Sequence, residues 1–123
     1  MLMNLSLVAL GGAAGSMLRY LSVIGAARLS GSGLPVGTMA VNVVGSFAIG
    51  ILAIGLMGNC VWTYLLLVSG FLGGFTTFSA FSLEAFRLWE TGQTTLAATY
   101  VAGSVILGIA ALLAGLAVGR MIT

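Results

Sequence analysis

Between Arg28 and Glu84 the chain carries no charged side chain, and this restricts the backbone more than any motif does. A stretch so long and so apolar belongs in lipid, where no water takes up free N–H and C=O groups. Only helices or a closed barrel satisfy a backbone there. The remainder of the chain continues the pattern, with 60% of residues hydrophobic and 5% charged, whereas a soluble domain carries roughly a quarter charged residues. The reading is an all-α membrane protein.

About 20 apolar residues cross a bilayer core. The sequence divides into four spans on that scale, Leu5–Ala27, Val36–Met57, Val61–Glu90 and Thr94–Met121. A turn over Arg28–Pro35 separates the first two, with Pro35 suited to a helix start. Gly58-Asn59 and Thr91-Gly92-Gln93 separate the others. No basic segment precedes the first apolar run, so it reads as a retained span and not as a cleaved signal. Residues 1–123 are expected to form one domain, a single four-helix transmembrane subunit without linker or soluble module.

The third span is anomalous. A continuous helix over 61–90 would measure roughly 45 Å against ~30 Å of hydrocarbon. Its middle, Gly70–Ser82, sets Gly73 and Gly74 beside Thr76, Thr77, Ser79 and Ser82, with Phe71, Phe75, Phe78 and Phe81 interleaved. Glycine and β-branched threonine weaken a helix, so a break at midplane is expected. Unwound backbone at that depth survives only where protein buries it or a cavity adjoins it, which is where transport proteins place ion sites. A glycine-rich helix contact with aromatic filler is the alternative. Beyond the break, Glu84, Arg87 and Glu90 are spaced i, i+3, i+6, an ion-pair ladder on an emerging helix face. Glu84 read instead as a buried proton carrier points to a small dual-topology proton-coupled exporter.

Composition excludes several classes. With no His and one Cys, neither the usual zinc sets nor a Ser–His or Cys–His nucleophile can be assembled, and no enzyme is expected. The four arginines, Arg19, Arg28, Arg87 and Arg120, are too scattered for a nucleic-acid footprint. What lies inside the membrane is a set of donors. Asn42 either bonds across helices or lines a pore. Tyr100 and Ser104 share a helix face, as a hydroxyl track or as an ordinarily partnered buried tyrosine. Arg19 precedes Arg28 by roughly 13 Å of helix, either snorkelling to the interface or drawing anions into a vestibule. Cation paths are usually lined by carboxylates; donors without acids favour an anion, and phenylalanine edges carry positive quadrupole density.

Small residues recur at helical spacing at Gly11/Gly15, Gly12/Ser16, Ser46/Gly50 and Ala111/Gly115/Gly119. They let backbones approach within the chain and leave faces for a partner. The arginines balance between the two sides, so the positive-inside rule gives almost no preference. A chain with so little bias can insert both ways, and an antiparallel homodimer about an axis in the membrane plane is expected.

GGAAGSMLRY, GTMAVNVVGS, GFLGGFTTFSAFSLE and the Tyr100/Ser104 pair together resemble the Fluc (CrcB) family of fluoride channels over nearly the whole chain. The third-span motif is the most specific of these. The resemblance implies an antiparallel, dual-topology homodimer of four-helix subunits in the cell membrane of a prokaryote. Each dimer would export fluoride passively down its electrochemical gradient, protecting the cell against acid-driven accumulation. It further implies an anion pathway of Phe78 and Phe81 with Asn42, Thr77, Tyr100 and Ser104, and Arg19 and Thr38 at the vestibule and its floor. A structural sodium ion would be held at the dimer centre by the main-chain carbonyls of Gly73 and Thr76. Gly108 stands where relatives can place a serine, so the hydroxyl track on the fourth span is shorter.

Overall fold

The computed structural model describes residues 1–31, 33–56 and 60–123. Helix α1 spans Leu2–Ser30 and ends at Gly31, whose φ of 51° closes the helix in the left-handed conformation that glycine adopts without penalty. Helix α2 spans Val36–Gly55 behind Pro35. The expected end of the second span, Met57, and the Gly58-Asn59 break lie outside the described residues, as does Ser32 in the first turn. Helix α3 begins at Val61–Tyr64, widens to π-helical turns over Leu65–Leu72 and returns to α geometry for Gly73–Phe75. Helix α4 spans Phe78–Glu90 and α5 spans Thr94–Ile122. The four elements 2–30, 36–55, 61–90 and 94–122 are each long and apolar enough to cross a membrane. This is the expected four-span all-α architecture.

Glycine, not bulk, assembles it. On α1, Gly11 and Gly15 lie against the backbone of Leu66 and Phe71, so a Cβ at either would collide with main chain. A Cβ at Gly70 would come within 3.0 Å of Gly11 Cα, and one at Gly74 within 3.0 Å of Gly12 Cα. The second pair closes in the same way. A Cβ at Gly50 would stand 3.0 Å from Gly115 Cα, and one at Gly119 would stand 3.0 Å from the Ile51 carbonyl oxygen. Lipid tails are as apolar as leucine, so close backbone approach supplies the dispersion contact that hydrophobic burial supplies in water. In both pairs the residue numbers rise together, Gly11 with Gly70 and Gly12 with Gly74, Gly50 with Gly115 and Ile51 with Gly119. Spans one and three therefore run parallel, and so do two and four, as alternate crossings of a bilayer must.

This packing consumes the small-residue faces inside the chain. The Gly11/Gly15 and Gly115/Gly119 stripes follow the first of the two expectations, packing within the chain; their occupants are α3 and α2. Large apolar side chains face outward instead, among them Leu10, Met17, Ile106, Ile109 and Leu113, as a lipid-facing surface requires.

Candidate functional site

The break falls within the expected segment but is narrower than the glycines suggested. Gly73 and Gly74 remain helical, and only Thr76 (φ −84°, ψ 158°) and Thr77 (φ −154°, ψ 118°) are extended. Gly74 is needed for the close approach to α1. The two threonines close the ends they separate. Thr76 donates both its N–H and its hydroxyl to the Leu72 carbonyl, at 3.0 and 2.9 Å, finishing α3. Thr77 caps α4, its Oγ1 accepting the Ala80 N–H at 3.2 Å. Gly45 on α2 makes room for the bend, since any Cβ there would meet the Thr76 methyl.

Two long side chains hold the opened backbone. Asn42 Nδ2 donates to the Thr77 carbonyl at 3.0 Å while its Oδ1 accepts the Thr77 N–H at 2.8 Å. Only one orientation of the amide satisfies both bonds. Arg19 Nε donates to the Gly74 carbonyl at 3.0 Å, placing a cation at the C-terminal end of α3, where the helix dipole favours it. Of the two sequence readings of Asn42, the bond across helices forms; Arg19, expected to snorkel or to draw anions, bonds the backbone beside the break instead.

These bonds redirect two helical donors. In an unbroken helix the Thr77 N–H would bond the Gly73 carbonyl and the Ala80 N–H the Thr76 carbonyl. The first goes to Asn42 and the second to Thr77 Oγ1. The carbonyls of Gly73 and Thr76 are thereby left without those donors, near the middle of the third span. Such oxygens are expensive unless something else coordinates them.

Glu84 is the main correction. The ladder with Arg87 and Glu90 does not form: the Glu84 carboxylate turns inward, and among the described residues no arginine lies within ion-pair distance of it. Oε1 accepts the Thr38 hydroxyl and Oε2 the Tyr100 hydroxyl, both at 2.7 Å, short bonds of the charge-assisted kind. Thr38 and Tyr100 are almost completely buried, 2% and 0% exposed. One carboxylate thus ties α2, α4 and α5 together. Sequence spacing suggested a local pairing, and the signal missed was that Glu84 is the first acid after a long uncharged run.

The aromatic residues divide. Phe81 packs on Tyr100 with centroids 5.4 Å apart, and Phe78 lies 5.5 Å from Phe81 at an interplanar angle of 48°. Phe81 is half-buried, but Phe78 is 79% exposed, a large ring standing free of its own chain. Beside it runs a groove of about 460 Å³, lined by Asn42, Ser46, Thr76, Thr77, Phe78, Phe81, Ser104 and Gly108 among others. Ser104 Oγ is shut from solvent and has no hydrogen-bond partner among the described residues. Asn42, Thr77, Phe78, Phe81 and Ser104 are therefore brought together on one groove; Thr38 and Tyr100 are brought together on Glu84; Arg19 joins the break from the α1 side.

Four membrane spans, the third opened at its middle and held open by half-buried polar side chains, define a multi-pass membrane protein built around a backbone discontinuity. The chain belongs to the CrcB family: the model for "CrcB-like protein, Camphor Resistance (CrcB)" matches residues 6–116. It is 54% identical over 122 residues to a fluoride-specific ion channel FluC of Cereibacter sphaeroides, covering 98% of this chain and 97% of that relative. Proteins of the same description in Agrobacterium fabrum and Rhizobium johnstonii are 49% identical over 122 residues and 55% identical over 117. They cover 97% and 93% of this chain, and 98% and 94% of their own lengths. Members of this family are channels and not enzymes, and the chain is a multi-pass protein of the prokaryotic inner membrane.

Proposed function

We propose that the whole chain is one subunit of a passive fluoride channel, which carries the anion out of the cell down its electrochemical gradient. The observation that carries this reading is the groove at the break, where donors converge without an acid of their own. Ser104 offers a hydroxyl with no other partner, Thr77 and Asn42 edge the same groove, and the N-terminus of α4 opens beside them with its partial positive charge. Fluoride is small and accepts strong, short hydrogen bonds, so a row of hydroxyl donors in a dry groove replaces its water. The names of the relatives point to the same ion.

A single chain leaves the groove open on one side and Phe78 exposed. A second copy inserted in the opposite orientation would supply a ring to each groove and a wall to each path, giving an antiparallel homodimer with Phe78, Phe81, Asn42, Thr77, Tyr100 and Ser104 along the anion route. Balanced arginines support both orientations. Arg19 and Thr38 would serve the approach to that route.

The residues at the break suit a sodium ion. Sodium takes neutral oxygen ligands, and the carbonyls of Gly73 and Thr76 have lost their helical donors at mid-depth. With the partner's copies they would make a four-oxygen set on the two-fold axis. The bound cation would supply positive charge between two anion paths and hold the interface, without itself moving.

The test is fluoride efflux from liposomes holding the purified protein, started with a potassium ionophore and followed by a fluoride electrode. Rapid efflux of fluoride with chloride retained is the expected result. No fluoride efflux, or efflux strictly coupled to proton movement, would replace this reading with the exporter centred on Glu84.

A further inference from the structure

The hydroxyls of α5 stop early. Ser104 faces the groove, but the next residue on that face, Gly108, has no side chain. Residues four apart on a helix stand roughly 5–6 Å from each other, so the wall of the groove loses its donor one turn beyond Ser104. Ser46 of α2 stands opposite that gap. A Cβ built on Gly108 would lie 3.8 Å from Ser46 Oγ, and Ser46 lines the same groove as Ser104.

Serines inside helices can turn their hydroxyl back onto the carbonyl four residues earlier. Ser6, Ser16 and Ser82 do so here, at 3.0, 2.7 and 2.9 Å. The Ser46 hydroxyl makes no such bond nor any other among the described residues, and the Ser104 hydroxyl is equally unpartnered; Ser22 and Ser69 also lack one, but of these four only Ser46 and Ser104 line the groove. Two serines that decline the local acceptor, on neighbouring helices and one turn apart along one groove, have hydroxyl protons to give to something that is not protein. The glycine at 108 is what clears space in front of Ser46.

We infer that Ser46 is an ion-binding residue, donating its hydroxyl to the anion at a position one helical turn beyond Ser104, so that the polar lining crosses from α5 to α2 at Gly108. The inference rests on the anion-channel reading above. The anion leaves Ser104 Oγ and is taken by Ser46 Oγ before it enters the apolar stretch lined by Ile49, Ile109 and Leu112, instead of meeting that stretch a turn sooner.

The experiment compares fluoride efflux from liposomes holding the full chain and its variants, each first shown to be monodisperse in detergent. Ser46→Ala removes one charge-assisted hydrogen bond and should slow efflux roughly tenfold. Ser46→Thr keeps the hydroxyl and should retain most of the rate. The decisive arm is Ser46→Ala combined with Gly108→Ser, which returns a hydroxyl to the same place from the opposite helix and should recover efflux, whereas Ser46→Ala with Gly108→Ala should not. Parental rates in Ser46→Ala would overturn the assignment, as would equal rescue by alanine and serine at 108, which would mean that Ser46 fills space. If Ser46→Ala is not monodisperse, the Ser46→Ala/Gly108→Ser and Ser46→Ala/Gly108→Ala pair decides by the same comparison. Absence of fluoride efflux from the parent protein would instead remove the channel reading itself.

Discussion

Replacing Asn42 by leucine, close in shape but without hydrogen-bonding atoms, tests how the break is held. The side chain makes two bonds to one residue, accepting the Thr77 N–H at 2.8 Å and donating to the Thr77 carbonyl at 3.0 Å. They are not equal in value. As the N-cap residue, Thr77 also gives its carbonyl to the first turn of α4, so losing Asn42 removes only that oxygen's second bond, about 0.5–1 kcal/mol. The N–H has no other partner and would be orphaned, at about 1–3 kcal/mol. The sum is about 1.5–4 kcal/mol. Side-chain bonds measured within membranes average nearer 0.6 kcal/mol each, because the unfolded chain in lipid finds other partners; two of them set a floor of about 1 kcal/mol. The helical acceptor for the Thr77 N–H is the Gly73 carbonyl, and a bond to it would straighten the span and close the break. Asn42→Leu is therefore expected to lower the unfolding free energy in a detergent titration by at least about 1 kcal/mol and to slow fluoride efflux. Val44→Leu, two residues along on an exposed face, serves as the neutral control. An Asn42→Leu protein matching that control in both stability and efflux would refute the reasoning, because the break would then stand without its bracket.

Glu84→Gln keeps one acceptor oxygen and puts an NH2 donor in place of the other, so one of the Thr38 and Tyr100 hydroxyls must turn from donor to acceptor and both bonds lose their charge assistance; a loss of about 1 kcal/mol in the same titration is expected, and a variant as stable as the parent would show that the charge of the clamp contributes nothing. Gly115→Leu drives a side chain into the backbone of Phe47 and the Gly50 Cα, and should part α2 from α5 and abolish a monodisperse peak, where Gly55→Leu, in open space, should be tolerated. Antiparallel assembly predicts that a single cysteine in the α4–α5 turn, on a Cys60→Ser background, is labelled by an impermeant reagent from both sides of the membrane; labelling from one side alone counts against it. Exchange of sodium for a large organic cation should destabilise the dimer without changing the fold of each subunit, and a dimer indifferent to sodium would remove the proposed cation.

The spans, the apolar exterior and the existence of the break belong to the sequence by itself. Hydropathy and length decide them through the cost of unpaired backbone in lipid, which no later contact alters. The location of the break needed the tertiary structure. Gly73 and Gly74 look like the breakers, yet both stay helical, and α1 occupies the space that Gly74 leaves; the threonines open because Asn42 of α2 offers the Thr77 N–H a better partner than Gly73 can. Glu84 was misread for the same reason. Its spacing to Arg87 and Glu90 is visible along the chain, but the two hydroxyls it binds lie 46 and 16 residues away in sequence and are brought to it only by packing. Ser46 carries no local signal that separates it from Ser16; one bonds its own helix and the other faces a gap left by Gly108 on the neighbouring one. Local chemistry decides where a chain must be helical and where it resists, while the partner of each polar group is chosen by whichever helix arrives beside it.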